Sequence, residues 1–184
     1  MINSRAGFLE RATTMAQTRS KKQPNAIDML KHDHREVEML FKEFEQLHEQ
    51  GEDAAEQVIQ TACTELKIHD KLETEIFYPA VRAEAGEEET DLLDEAEVEH
   101  DSVRSLIQKL EGMGAGDEKR HAHFTVLMEY VKHHVKEEEK EMFPKINKMD
   151  IDFDELAMQM KERKAELMSE MGVEAAETEA EETT

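Results

Sequence analysis

With Cys63 as its only cysteine, the chain can close no internal disulfide and build no cysteine-type zinc site. A lone thiol fits a reducing cytoplasm, and Cys63 reads as a small buried apolar residue. Tryptophan is absent, and only three prolines and seven glycines occur in 184 residues. That scarcity argues against the turn-rich chains of sandwiches and barrels. Basic charge is also short, with 23 Lys and Arg against 45 Asp and Glu and a net charge of −22. Such a balance opposes nucleic-acid binding, which needs clustered cations against phosphate. Nowhere does the chain approach the roughly 20 consecutive apolar residues of a membrane span, so no membrane partner is expected.

What remains is a chain of 38% hydrophobic and 37% charged residues, the composition of amphipathic helices. The expected fold class is all-α, an antiparallel four-helix bundle made of two helical-hairpin repeats, with an additional C-terminal helix. Helix one is predicted from Ala26 to His48, entered by Pro24 and Asn25. Helix two follows Gly51, with Asp53 and Glu56 at capping-box spacing, and runs to Pro79 or slightly beyond. Helix three spans Asp91 to Glu111 after GEEET; GMGAG then breaks the chain, and Asp117 is placed to cap helix four as far as Pro144. Asp152 with Glu155 opens the terminal helix, which ends near Met168. Residues 25–168 are thus the bundle. Residues 1–24 read as a disordered lead-in, with a targeting segment or a start at Met15 as alternatives. Residues 169–184 read as an acidic disordered tail.

The two halves of the bundle repeat each other. His34 opens His-x-x-Val-x-x-Leu-Phe and His100 opens His-x-x-Val-x-x-Leu-Ile. His69 follows His34 by 35 residues, and His134 follows His100 by 34. IHDKLETEIFYP, residues 68–79, and HHVKEEEKEMFP, residues 133–144, then share His, Glu and Pro at identical offsets. His-x-x-x-Glu alone carries little weight, since six of the nine histidines have Glu four residues on. The repeat and the helix faces carry the information.

Side chains three, four and seven apart share a face. His34 lines up with Ile27, Leu30, Val37, Phe41 and Phe44; His69 with Ala62, Leu66, Leu72, Ile76 and Phe77; His100 with Leu93, Ala96, Val103, Ile107 and Leu110. His134 lies beneath Leu127, Tyr130 and Val131 and above Glu138 and Met142. Glu73 and Glu138 sit one turn from His69 and His134. His32 and His133 fall on solvated faces, and His48, His121 and His123 read as surface residues beside loops. One inward histidine is ordinarily a hydrogen-bonded core residue. Two inward glutamates are harder to place in a core, because a buried unpaired carboxylate costs several kcal/mol or titrates to neutrality. The candidate metal ligands are therefore His34, His69, Glu73, His100, His134 and Glu138.

Imidazole and carboxylate without thiolate suit iron or manganese, with zinc as a competitor. Six side chains exceed one tetrahedral ion and fall short of saturating two octahedral ones, so two ions with bridging glutamates would each keep an open position for O2, NO or peroxide. At KHDHREVEMLF, IHDKLETEIFYP, EVEHDSVRSLI and HHVKEEEKEMFP the sequence resembles the hemerythrin-like HHE cation-binding family, over about Ala26 to Met149. The resemblance implies two non-heme iron ions, oxo- or hydroxo-bridged, on the same six residues. Some relatives also use an acid after the second-helix histidine, here Asp70. Oxygen carriers have a further histidine where this chain has Arg104, so the resemblance points to the carboxylate-richer relatives linked to iron sensing, nitrosative stress and iron–sulfur repair. The expected function is a cytoplasmic di-iron protein, monomer or homodimer, binding O2 or NO in sensing, storage or stress protection. The alternative is a di-iron peroxidase, ferroxidase or repair enzyme, and the third reading is a bundle with no physiological metal.

The remaining residues have simpler expectations. Met39, Met128 and Met142 read as core filler, Tyr78 and Tyr130 as half-buried packing with a redox relay as the alternative, and Lys136, Lys140 and Lys145 as a solvated face.

Overall fold

In the computed structural model, residues 23–48, 52–114 and 116–173 are described. Four long helical segments form the expected bundle. Helix α1 is Ala26–His48; α2, Glu52–Leu72, passes through a π-turn at Glu73–Phe77 into α3, Tyr78–Glu84. Helix α4 is Glu87–Glu111; α5, Arg120–Glu137, passes through a second π-turn at Glu138–Met142 into α6, Phe143–Ile146. Helix α7 is Phe153–Glu170. The expected N-terminal lead-in and most of the acidic tail lie outside the described residues. No described helix is long and apolar enough to cross a membrane.

The paired π-turns explain the repeated prolines. Tyr78 N–H donates to Glu73 O, and Phe143 N–H to Glu138 O, each skipping one residue more than an α-helix allows. A proline inside an α-helix lacks a donor and presses its ring on the carbonyl four residues back. The wider turn relieves both problems just before Pro79 and Pro144, which then sit in the first turns of α3 and α6. Each π-turn opens on one of the two repeat glutamates.

Two helix starts differ from expectation. α4 begins at Glu87, not Asp91, because Glu89 folds back to accept from Gly86 N–H at 3.2 Å and because three acids suit the positive end of a helix. Asp117 does not cap α5: its Oδ1 accepts from Lys119 N–H at 2.9 Å inside a turn, and the helix starts at Arg120. Asp53 lies outside the described side chains, while Glu56 faces Arg120 across the bundle. Asp152 caps α7 as expected, accepting from Glu155 N–H at 3.0 Å.

The apolar core is in two pieces. One contains Val37, Phe41, Phe44, Ile59, Leu66, Ile107, Phe124 and Val131. The other contains Leu30, Leu72, Phe77, Leu93, Phe143 and Ile146, onto which α7 docks through Phe153, Leu156, Met160 and Leu167. Between them lie the histidines and glutamates of the repeat. Cys63 is buried among the first group, and burial pushes its thiol up to about 12, so it is inert packing. Met128 and Met142 are core residues, but Met39 is 61% exposed and fills nothing. His121 is half-buried, its ring edge-on to Phe44 at 5.5 Å, and not a free surface residue.

Arg120 is the polar clamp at the far end. Its guanidinium holds both Glu56 oxygens at 2.6 Å and donates to the carbonyls of Leu110 and Met113, closing the carboxyl end of α4. Arg120→Met is expected to destabilise the fold by about 2–3 kcal/mol, since it leaves Glu56 and two carbonyls without their charged donor. Urea unfolding of the two proteins measures the difference.

Candidate metal centre

One side chain from each long helix, and two from the π-turns, meet at a single level. His34 projects from α1, His69 from α2, His100 from α4 and His134 from α5, all 3–7% exposed. Glu73 and Glu138 enter from the π-turns at 0% and 1%. Every imidazole presents Nε2 to the middle. His69 and His100 each place Nε2 3.2 Å from Glu73 Oε2, His34 places its own 3.2 Å from Glu138 Oε2, and His134 stands 3.5 Å from that same oxygen. His100 and His134 bring their Nε2 atoms within 3.0 Å of each other.

The donors fall into two overlapping groups. One is His34, His69, Glu73 and Glu138; the other is Glu73, His100 and His134, with donor atoms in each no more than 4.8 Å apart. Donors sharing an ion at about 2.0–2.2 Å lie no more than roughly 4.4 Å apart, a spacing these groups reach with small side-chain shifts. Glu73 belongs to both groups.

Several of these atoms lack a hydrogen-bond partner although they are buried. They are Nε2 of His34, both ring nitrogens of His69, both oxygens of Glu73 and Oε2 of Glu138. Charged neighbours lie close to them without making a hydrogen bond. Orphaned polar atoms of this kind are expensive in a dry interior. Two imidazole nitrogens 3.0 Å apart cannot both point protons at each other. A cation held between them and the glutamates accounts for both observations, so the donor set fits a pair of divalent ions.

Behind each imidazole stands a carboxylate. Glu139 lies 2.9 Å from His34 Nδ1, Asp33 3.7 Å from His69 Nδ1, Asp70 2.6 Å from His100 Nδ1 and Glu99 2.7 Å from His134 Nδ1. An ionised carboxylate only accepts, so Glu139, Asp70 and Glu99 favour the proton on Nδ1 and leave the Nε2 lone pair facing the centre, while Asp33, too far from His69 to hydrogen-bond, acts on it as a nearby charge. Asp70 is therefore placed behind His100, and its own contacts are with that ring and with Arg104. Sequence reasoning missed Asp33, Glu99 and Glu139 in this role. A signal existed: each is the immediate neighbour of a candidate ligand on the adjacent helix.

Tyr78, expected as half-buried packing, is fully buried at the centre. It is 1% exposed and donates from its hydroxyl to Glu138 Oε1 at 2.8 Å, with His100 Nε2 3.3 Å away. Burial, with Glu138 and Glu73 nearby, holds its phenol well above the ordinary value, so it stays a donor. Tyr130, placed on the inward stripe from sequence, is 48% exposed and plays no part.

The hemerythrin HHE cation binding domain family matches residues 25–146. The chain belongs to that family. This HHE domain is similar in fold to a hemerythrin HHE cation binding domain-containing protein from Mycobacterium kansasii. The match has a TM-score of 0.66 at 23% identity and covers 79% of this chain and 88% of that one. It is also 24% identical over 165 residues to a DNA nickase from Nostoc sp., covering 89% of this chain and 46% of the relative. The chain thus spans about half the length of that curated relative. Family and donor geometry together support metal-cation binding.

Protons compete for the same atoms. Burial alone would lower His100, but Asp70 and Glu73 carry it up to about 9. Burial likewise opposes charge on His69, yet Glu73 and Asp33 hold it well above the ordinary imidazole range. Burial raises Glu73, and His69 and His100 outweigh that to hold it well below the usual carboxylate range. A folded value above the unfolded one means that the stability drawn from His100 is complete below pH 6.5 and lost as pH rises through about 9. Cation affinity has the opposite sense, because a ligating imidazole must first lose its proton. Across this window the metal-free HHE domain is expected to melt at falling temperature while cation binding tightens. Melting curves and calorimetric titration near pH 6.5 and pH 9 check both signs.

Proposed function

We propose that His34, His69, Glu73, His100, His134 and Glu138 hold two iron ions, and that this centre binds O2 or a related diatomic such as NO in sensing, storage or stress protection. The observation that carries the reading is the small apolar cavity against the four imidazoles. It is lined by Val37, Leu66, Val103, Val131 and Val135 beside the histidines, and leaves about 30 Å³ for the centre of a water-sized molecule. One water needs roughly 10–15 Å³ on that measure, so a diatomic fits and a larger substrate does not.

Iron at this position would supply coordination sites for the small ligand and electrons on demand. The chain's own residues do the rest. Glu139, Asp33, Asp70 and Glu99 orient the four rings. The valines and Leu66 exclude bulk water from the ligand side, which strengthens every electrostatic interaction inside. Tyr78 keeps a proton poised at Glu138 Oε1.

That proton is the observation favouring a second reading, an enzyme consuming peroxide or oxidising ferrous iron, because a buried phenol can assist charge development at the centre. The Nostoc relative's nickase name carries over less readily, since a net charge of −22 opposes binding to phosphate. The single buried thiol fits work in the cytoplasm.

Anaerobic loading with ferrous iron is expected to give about two irons per chain, followed in air by a visible charge-transfer band. One iron or none, by metal counting, would remove the di-iron reading. Glu73→Ala, which takes the shared carboxylate from both donor groups, is expected to abolish binding of at least one ion. Tyr78→Phe should keep the iron count and shift the band. Sustained peroxide turnover by the loaded protein would favour the enzyme over the binder.

A further inference from the structure

The two sides of the buried layer are finished differently. On the α1–α2 side, α7 packs over the bundle, and Lys164 Nζ lies 2.8 Å from Asp33 Oδ1, closing the outside of His69. The α4–α5 seam carries acids and an exposed histidine instead.

At that seam His133 Nε2 lies 3.1 Å from Glu137 Oε1 and 3.5 Å from Glu99 Oε1. The three donors lie within 4.8 Å of one another, and side-chain shifts of a few tenths of an ångström bring them within the roughly 4.4 Å that one ion bound at about 2.2 Å to each can span. Glu95 and Glu141 add negative charge around Glu137. Two features separate this cluster from an ordinary surface pair such as His32 and Glu36, 3.4 Å apart with no third donor at metal-binding spacing among the described residues. Glu99 is shared between surface and interior: Oε1 faces His133, while Oε2 lies 2.7 Å from Nδ1 of the buried His134. Behind it is a narrow cavity, with half-buried Glu99 and Glu137 on its outer side and His134 and Glu138 on its inner side. That cavity leaves about 10 Å³ for the centre of a water-sized particle, close to the room one water needs.

We propose that His133, Glu137 and Glu99 form a loading site, which takes a hydrated divalent cation from solution and passes it beside Glu99 to the buried donors. The inference rests on the metal-centre reading above. Divalent cations give up their water shell reluctantly, and a three-donor site at the surface can replace part of that shell before the ion enters. The surrounding acids raise the local cation concentration, as focused charge does at other clefts.

Stopped-flow mixing of the metal-free full-length protein with Co2+ follows uptake through the cobalt visible band, independently of any activity. His133→Ala and Glu137→Gln are both exchanges at the surface and leave the inner donors intact. Each is expected to slow uptake roughly tenfold or more, while the final stoichiometry and helical circular dichroism match wild type. His32→Ala, the control at the other exposed pair, is expected to load at the wild-type rate. Wild-type uptake rates in both seam variants would overturn the loading role, as would a lowered final stoichiometry in a folded seam variant. Failure of the wild-type protein itself to bind cobalt would instead overturn the buried centre.

Discussion

Two carboxylates sealed among four imidazoles impose the condition that the rest of this bundle must meet. Removing an ionised carboxylate from water costs several kcal/mol even after relaxation, and an apolar bundle offers nothing to offset it. Here the cost falls on one level, where Glu73 and Glu138 face inward, and the apolar core is cut in two around it. Without cations the glutamates draw protons onto His69, His100 and His134. A cation would compete with protons for the same donors, so stability and metal affinity are expected to depend on pH in opposite senses.

The carboxylates behind the histidines make a closed circuit of the bundle. Asp70 on α2 holds His100 on α4; Glu99 on α4 holds His134 on α5; Glu139 on the second π-turn holds His34 on α1; Asp33 on α1 faces His69 on α2 as a charge 3.7 Å away. On α1, α2 and α4 the acid adjoins the helix's own inward ring, as Asp33, Asp70 and Glu99 do; on the fourth segment Glu139 adjoins the inward Glu138 instead. Adjacent residues on a helix point about 100° apart, so a ligand aimed at the bundle axis puts its neighbour at the interhelical seam. Rotation of any one helix would break two contacts in this circuit.

The circuit is not symmetric in its outer supports. Asp33 is backed by Lys164 from α7 and Asp70 by Arg104, whereas Glu99 is backed by the exposed His133. Arg104, at the position where oxygen carriers have a histidine, faces Asp70 and steadies the acid behind His100. The departure from that pattern thus replaces a donor with a support.

How much of this could be read beforehand follows from range. Helix existence, the six inward residues and the start of α7 at Asp152 depend on periodicity and local caps, and the sequence by itself determined them. The early start of α4 depended on Glu89 folding back on Gly86, also local but hidden in a run of glutamates. The π-turns left a trace as the repeated Pro79 and Pro144, though their identity required the backbone. The partners of Asp33, Glu99, Glu139 and Tyr78 were settled only by tertiary structure, because a contact between helices depends on how they are rotated and staggered against each other. Facing on one helix is a property of three or four residues; pairing across a seam is a property of the whole bundle.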